Sequence, residues 1–259
     1  MKNFSRLDGD RIAEGLGTAR IGKRVVIFND TASTNDIAFE YARDKNSDGL
    51  VVAAENQSKG RGRFGKRWED DWGLSILMSV VLREETCNED LLSLTLAIAA
   101  TEAIGCDAKI KWPNDIFIRG RKVGGILIEG KKIAGQKVTV AGIGINCHQQ
   151  AEDFSKELRE KATSVDIESG RVNDRNLIIR RLLMGMEHWL ERAVRDSEMI
   201  VEEWRKLSVQ LGHRVTAVYD GRRFSGNCIG VDPRLGLVLQ LDSGSVRMFD
   251  SAHTSIWTE

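Results

Sequence analysis

Short apolar runs, each bounded by glycine or polar clusters, dominate the first half of the chain. The predicted strands among them cover residues 24–29, 50–54 and 74–82. Apolar residues with helical spacing follow a possible cap at Thr34 or Asn35, and this pattern predicts a short helix between the first two strands. The same spacing predicts helices over residues 10–16 and 89–104, with Asn88 capping the second.

Four strand-like segments then follow each other with no room for a helix between them. They cover residues 109–112, 116–118, 123–129 and 137–146. The tripeptide at 119–121, Arg-Gly-Arg, predicts a hairpin turn between the second and third segments. Parallel neighbours need a crossover of a dozen or more residues, so the sheet is predicted to be at least partly antiparallel.

The last third of the chain changes from helical to all-β character. Residues 151–205 are predicted to be helical, with an amphipathic stretch from Asn176 to about Val194. The predicted strands after Gly212 cover residues 215–219, 222–229, 235–241 and 246–249. Turn-rich strands of this length predict a small barrel-like β module. We therefore predict one domain over residues 1–208 and a β domain over residues 209–259.

Composition narrows the possible classes of protein. Of 259 residues, 41% are hydrophobic and 29% charged, as in an ordinary globular protein. The net charge is +0, with 38 basic and 38 acidic residues, so DNA binding is not expected. The longest apolar run, residues 91–100, is too short to span a membrane, and residues 1–8 lack the apolar core of a signal peptide. The cysteines (Cys87, Cys106, Cys147 and Cys228) form no CxxC pair, so a reduced cytoplasmic protein without a zinc site is expected.

The segment richest in candidate chemistry spans residues 59–68. Its glycines satisfy two nucleotide-loop patterns, but Arg67 stands where a P-loop needs Ser or Thr, and no helix start follows. Glycine lets the backbone approach a ligand closely, and cations at this density suit a carboxylate or a phosphate. The cations are Lys59, Arg61, Arg63, Lys66 and Arg67. A solvated basic loop is the alternative interpretation.

Three further stretches favour a binding site. Residues 111–115 (Lys-Trp-Pro-Asn-Asp) place a cation, an amide and a carboxylate around a proline turn. Residues 122–129 begin with a lysine, continue through two glycines and end as a buried strand. Residues 142–146 (Gly-Ile-Gly-Ile-Asn) remove side chains from one strand face, which leaves either a slot for a flat ligand or a close packing contact.

In these stretches the sequence closely resembles biotin protein ligases. The resemblance rests on Ser33-Thr34-Asn35, Glu55 with Gln57, and residues 60–68, 111–115, 121–129, 142–146 and 162–165. It covers roughly residues 20–259. It departs from the commonest pattern at Phe64, where Arg is frequent, and at Val165, where Leu is frequent.

The resemblance implies an α+β fold of the class II aminoacyl-tRNA synthetase-like, biotin–lipoate ligase type. A mixed, largely antiparallel sheet is backed by helices and followed by an SH3-like β-barrel. Bifunctional members also carry an N-terminal helix-turn-helix. Only about twenty residues precede the first predicted strand here, so a monofunctional ligase is expected.

The implied reaction is ATP-dependent biotinylation of a lysine on a biotin carboxyl carrier protein, through biotinyl-5′-AMP. Mg²⁺ is expected on the ATP phosphates, and Asp115 is a candidate either to orient the carrier lysine or to hold this ion. The implied catalytic residues are Arg61, Arg63, Lys111, Asp115 and Lys122. The implied biotin-binding residues are Ser33, Thr34, Asn35, Gln57, Arg61, Gly62, Arg63, Lys122, Gly124 and Gly125. The implied ATP-binding residues are Arg63, Lys66, Arg67, Trp68, Asn114, Lys122 and Asn146.

Other readings remain open at this point. A lipoate or octanoate ligase or transferase shares the fold, and a nucleic-acid-binding regulator or a structural protein would belong to a different class. The family relationship also implies a possible homodimer, paired through the sheets. No membrane partner is expected.

Overall fold

The larger of two β-sheets contains seven strands, in the order β1-β2-β3-β7-β6-β5-β4. The computed structural model describes residues 4–83 and 88–257, so Cys87 lies outside the described residues. The strands are β1 (Val25–Thr31), β2 (Val51–Gln57), β3 (Ser75–Leu82), β4 (Lys109–Lys111), β5 (Asp115–Ile118), β6 (Arg121–Ile133) and β7 (Gln136–Asn146). Only β1 and β2 pair in parallel among these strands, which confirms a mixed and largely antiparallel sheet.

Helices cover both faces of this sheet unequally. They are α1 (Gly9–Ala13), α2 (Thr34–Tyr41), α3 (Glu89–Ile104), α4 (Val165–Ser169), α5 (Arg175–Arg195) and α6 (Ser197–Leu207). The larger core holds α3, α5 and α6 against one face, and α3 is buried on nearly all sides because it lies between the sheet and the other two helices. On the opposite face, Ala38 and Phe39 of α2 pack against Val138 and Val140 of β7.

This division fixes which residues of β7 remain available for a ligand. Side chains alternate along a strand, so Ile143 and Ile145 point into the larger core. Gly142, Gly144 and Asn146 therefore continue the α2 face beyond the end of that helix. The face is crowded where valines meet α2 and open where glycines replace them.

Most predicted elements are confirmed to within a few residues. Helix α3 has its predicted bounds, and the Asn88 side chain accepts a hydrogen bond from the Leu91 N–H at 2.9 Å. The predicted hairpin turn is also present, with positive φ at Arg119 and Gly120. The helical prediction for residues 151–205 is wrong for residues 154–163, which form turns, and it did not separate α5 from α6 at Asp196.

The C-terminal module is a five-stranded antiparallel sheet in the order β11-β10-β9-β8-β12. Its strands are β8 (Arg214–Tyr219), β9 (Arg222–Asp232), β10 (Gly236–Leu241), β11 (Val246–Phe249) and β12 (Thr254–Trp257). The sequence prediction missed β12. Within residues 88–257 no hydrogen-bonded ladder joins the edge strands β11 and β12, so the expected barrel is present as an open sheet.

The module shares a core with the larger domain. Cys228, Leu237 and Phe249 belong to the same buried cluster as α3 and the seven-stranded sheet. The Gln210 side chain also accepts a hydrogen bond from the buried backbone N–H of Trp112 at 2.5 Å. The two predicted domains are therefore packed as one hydrophobic unit. Among the described helices, none is both long and apolar enough to cross a bilayer.

Candidate active site

The floor of the candidate site is a row of residues across five strands. The register aligns Leu77, Gly144, Gly125, Asp115 and Lys111, on β3, β7, β6, β5 and β4 respectively. Neighbours in such a row share one face of the sheet, here the α2 face. Because two consecutive positions are glycine, the centre of the row is a trough between a polar end near α2 and a basic end near β4.

The basic loop roofs this trough through Trp68. A Cβ on Gly144 would lie 2.8 Å from the indole ring of Trp68, so the ring rests directly on the glycine backbone. The backbone N–H of Trp68 donates to the Gly60 carbonyl at 3.0 Å, which folds the loop back on itself. Gly60 leaves room for this contact, since a Cβ there would lie 3.2 Å from the Trp68 carbonyl. The indole therefore forms one flat wall of the trough.

The polar end is a chain of hydrogen bonds at the N-terminus of α2. The Thr34 N–H and hydroxyl both donate to Gln57 Oε1, at 2.6 Å and 3.0 Å. The Ser79 hydroxyl lies 2.7 Å from Thr34 Oγ1 and 2.6 Å from Asn35 Oδ1. Thr34, Asn35 and Ser79 are all buried, and Ser33 is the buried N-cap residue of α2 beside them. The structure thus brings together four of the predicted biotin-binding residues: Ser33, Thr34, Asn35 and Gln57.

Arg61 is held between two carboxylates. Its guanidinium donates twice to Asp36, at 2.6 Å and 2.8 Å, and twice to Glu129, at 3.1 Å and 3.3 Å. The hydrogen bond from Arg61 lowers the pKa of Asp36, and the same bond raises the pKa of Arg61. The charge of Arg61 is therefore already compensated, and the residue fastens the loop to α2 and β6.

The basic end contains Lys111 and Lys122 around Asp115. Lys122 Nζ lies 2.5 Å from Asp115 Oδ1 and 5.9 Å from the centroid of the Trp68 ring. Burial lowers the pKa of Lys111, with Asp115 opposing the shift. A Cβ on Gly125 would meet both Lys122 and Asp115 within 3.4 Å, so this glycine lets the pair lie close to the sheet.

Arg63 points toward the C-terminal module. Its guanidinium donates to the carbonyls of Ser251 and Thr254, the latter at 3.0 Å, and to Asn114 Oδ1 at 3.3 Å. Burial lowers the pKa of Arg63. Phe64, which has a left-handed φ of 55°, lies against the guanidinium at 4.7 Å.

A cavity of about 250 Å³ adjoins this arginine. Its lining comes from the loop, the Pro113-Asn114 turn, β6 and the turn before β12.

Several predicted residues lie elsewhere or are already engaged. The Gly62 N–H donates to the Lys66 carbonyl at 2.7 Å, and the side chains of Lys66 and Arg67 are exposed. Gly124 pairs with Ile145 in the register and so faces the larger core, which leaves only its backbone to border the trough. The buried Asn146 amide donates to the Thr163 carbonyl at 3.0 Å.

Sequence reasoning missed three residues of the site: Asp36, Ser79 and Glu129. Ser79 carries a signal, because it is a polar residue within the apolar run of β3. Glu129 carries a similar one, since it follows three apolar residues on β6. Asp36 gives no comparable signal, because an acidic residue in the first turn of a helix is ordinary.

The described residues contain no cluster of three or more His, Cys, Asp or Glu side chains that could hold a metal ion.

The trough with its polar end suits a small molecule with a polar head group, and the basic end suits an anion beside it. The family model described as Biotin/lipoate A/B protein ligase family matches residues 27–148. The Bifunctional ligase/repressor BirA of Bacillus spizizenii is 31% identical, over 97% of this chain and 80% of that protein. The chain belongs to the biotin/lipoate A/B protein ligase family, and the resemblance found in the sequence is confirmed.

Two further comparisons agree. The Biotin--[acetyl-CoA-carboxylase] ligase of Mycobacterium tuberculosis is 29% identical, over 80% of this chain and 79% of that protein. The structure of biotin protein ligase from Aquifex aeolicus in complex with biotin and ATP superposes with a TM-score of 0.79. It covers 92% of this chain and 100% of that one, at 24% identity. That likeness establishes the fold, which is the one the sequence predicted.

Proposed function

We propose that this chain is a biotin–protein ligase that uses ATP to attach biotin to a lysine of a biotin carboxyl carrier protein. One observation carries the proposal: a glycine-floored trough connects a buried hydrogen-bonding end to an end with two lysines and a carboxylate. Biotin needs these two surroundings at once, because it has a polar ureido head and a carboxylate tail. The names of the relatives support the same activity.

Biotin lies in the trough with its ureido group toward α2. Ser33, Thr34, Asn35 and Gln57 supply the donors and acceptors for this head. The bicyclic ring lies beside the Trp68 indole, which rests on Gly144, and next to the Lys122–Asp115 pair, which lies over Gly125. The valeryl carboxylate then points toward the basic end. The backbone around Gly62 adjusts to receive it, since its N–H is engaged within the loop.

The first step joins biotin to AMP. A carboxylate oxygen attacks the α-phosphorus of ATP, a P–O bond forms, and the bond to the β-phosphate breaks to release pyrophosphate. Two anions must approach each other, so fixed cations are needed to stabilise the charge that builds on phosphorus. Lys111 and Lys122 stand at that end on strands, and Arg63 reaches it from the loop.

The ATP site combines Trp68, Asn114, Asn146, Lys66 and Arg67. Trp68 offers an aromatic face, and the two exposed cations lie where the loop can fold over phosphates. A magnesium ion bound with ATP would neutralise part of the phosphate charge, and Asp115 is the residue that would hold it at the basic end. Asp115 is the nearest carboxylate at the basic end.

The second step transfers the biotinyl group to the carrier. The lysine amine attacks the carbonyl carbon of biotinyl-5′-AMP, a C–N bond forms, and AMP leaves with the electrons of the C–O bond. The lysine ammonium first gives up one proton to solvent water, and the nitrogen loses a second proton to water as the amide forms. Asp115, held by Lys122 at 2.5 Å, orients this amine, while the clasp of Arg61 keeps the loop closed over the adenylate and limits its hydrolysis.

Incubation of the full chain with ATP labelled at the α-phosphate tests the proposal. With biotin, we expect a labelled mixed anhydride, followed by transfer of biotin to a purified carrier domain. Lipoate or octanoate replaces biotin in a parallel reaction. Adenylate formation with lipoate or octanoate and none with biotin would overturn the proposal in favour of the related acyl ligases.

A further inference from the structure

Glu129 has contacts that the reaction above does not explain. It lies on β6 opposite Val140 of β7, and its carboxylate faces the polar end of the trough. One oxygen, Oε2, accepts a hydrogen bond from Asn35 Nδ2 at 2.6 Å. Both oxygens also accept from Arg61. The Asp36 carboxylate, by contrast, accepts hydrogen bonds from Arg61, and among the described residues it makes none with the Asn35 side chain.

A carboxylate fixes the orientation of an amide that binds to it. Ionised glutamate has no proton to donate, so Asn35 can face it only with its NH₂ group. Asn35 Oδ1 must then point the other way, toward Ser79 at 2.6 Å. A Cβ on Gly142 would overlap the Asn35 amide, so the amide lies flat against the floor of the trough.

The opposite end of the hydrogen-bond chain is fixed in a similar way. The Thr34 backbone N–H is a donor only, so Gln57 must accept with Oε1 and present its NH₂ group elsewhere. The Thr34 hydroxyl proton is also directed to Gln57. The Ser79 proton then lies between Thr34 Oγ1 and Asn35 Oδ1. The middle of the chain is therefore rich in lone pairs.

We propose that Glu129 is a positioning residue. It sets the direction in which the hydrogen bonds of the polar end run, and so makes Asn35 a hydrogen-bond acceptor toward the ligand. The inference rests on the proposed function, because ureido N–H groups are what such acceptors recognise. It also assigns different tasks to the two carboxylates that accept hydrogen bonds from Arg61. Asp36 holds only the loop, whereas Glu129 holds both the loop and the Asn35 amide.

Four variants separate these tasks. E129M keeps the length of the side chain and removes both oxygens, and E129Q retains one oxygen that can accept from Asn35. D36N weakens only the attachment of Arg61. E203Q changes a partly exposed glutamate on α6, paired with Lys206 at 2.6 Å, and serves as the control for the loss of one carboxylate charge remote from the site. Thermal unfolding of each variant measures any loss of fold.

Calorimetric titration with biotin in the absence of ATP is the readout. We expect E129M to weaken biotin binding about tenfold, the equivalent of one hydrogen bond to a charged group. We expect E129Q and D36N to weaken it less than threefold and E203Q to leave it unchanged. An equal loss in E129M and D36N, or none in E129M, would overturn the proposal.

A second ligand distinguishes positioning from general disruption. Biotin methylated on one ureido nitrogen lacks one N–H, and both isomers are tested. For each protein, the affinity of each methylated isomer is compared with the affinity of unmodified biotin. If Glu129 orients the acceptor, this loss on methylation should be smaller in E129M than in the wild type for at least one isomer. A merely structural role would weaken biotin and both isomers by the same factor, which would refute the inference. Failure of the wild-type chain to bind biotin would instead refute the proposed function.

Discussion

At the scale of single residues, the site depends on side chains that are absent as much as on those that are present. Gly125, Gly142 and Gly144 leave space on one sheet face, and that space is occupied by Lys122 with Asp115, by Asn35 and by Trp68 respectively. None of the three has a positive φ. Their role is close approach of neighbouring groups rather than an unusual backbone conformation.

Replacement of Gly142 by alanine tests this role. The new methyl group would overlap the Asn35 amide and displace it from Ser79 and Glu129. We expect G142A to raise the KM for biotin at least tenfold. G130A is the matched control, since a Cβ at Gly130 on β6 meets its nearest atoms at 3.8 Å, an ordinary contact. Similar KM values for both variants would contradict the close-packing account.

Lys122 provides a second test at this scale. If Lys122 stabilises the reacting phosphate as proposed, K122A should lower the rate of adenylation roughly 10²–10³-fold. The Lys122–Asp115 pair is partly exposed, so stability should change by less than about 1 kcal/mol. Biotin-dependent pyrophosphate exchange and thermal unfolding of K122A measure the two effects. K45A, at an exposed lysine remote from the trough, is the control. Normal exchange in K122A would remove this lysine from the site.

At the scale of elements, the C-terminal module is part of the structure that supports the site. Its buried residues join the core of the larger domain, and its turn before β12 supplies the carbonyls that hold Arg63. The Gln210 side chain connects the start of the module to the buried strand end at Trp112. The module is therefore expected to affect both folding and catalysis.

Gln210 and the module boundary can be tested together. Deletion of residues 209–259 should lower the thermal midpoint as well as carrier biotinylation, because it uncovers part of the shared core. Q210A makes a smaller change, because it leaves the buried backbone N–H of Trp112 without an acceptor. We expect this variant to lose about 1–3 kcal/mol of unfolding free energy. Denaturant unfolding measures the cost. A truncated chain that unfolds at the wild-type midpoint would show that the larger domain folds without support from the module.

At the scale of the whole molecule, a buried polar layer joins the N-terminal segment to β2 and α5, close to the loop that roofs the site. Arg175 and Glu55 form an ion pair at 2.8 Å, and each side chain is 1% exposed. The Glu55 carboxylate also accepts from the Leu7 N–H at 2.6 Å, which ties the N-terminal segment to β2. The carboxylate oxygens of Asp70, two residues after Trp68, are buried close to the Ser75 hydroxyl and the charge of Arg175.

The Asp70 carboxyl predicts a pH dependence of stability. Burial raises its pKa from 3.8 to about 7, with a further contribution from the charge of Asp71. Because the folded state favours the protonated form, the contribution of Asp70 to stability is complete below about pH 4. It falls as the pH rises toward 7 and stays low above that.

D70N removes this titration. We expect the variant to match the wild type near pH 4 and to exceed it by roughly 2–4 kcal/mol at pH 8. The difference between the two unfolding free energies, measured by denaturant titration from pH 4 to pH 8, isolates Asp70 from other titrating groups. A difference that does not change with pH would contradict the assignment.

Local sequence determined the strands, the main helices and the cation-rich loop, because hydrophobic periodicity and glycine positions act over a few residues. It also brought Ser33, Thr34, Asn35 and Gln57 into one prediction through a family resemblance. The pairing of Arg61 with Glu129 spans 68 residues, and the contact of Arg63 with Ser251 spans 188. No local pattern reports such contacts. Whether an arginine faces a phosphate or a carboxylate is decided by the register of distant strands, so the sequence supplied the charges and only the tertiary structure decided which of them are already paired.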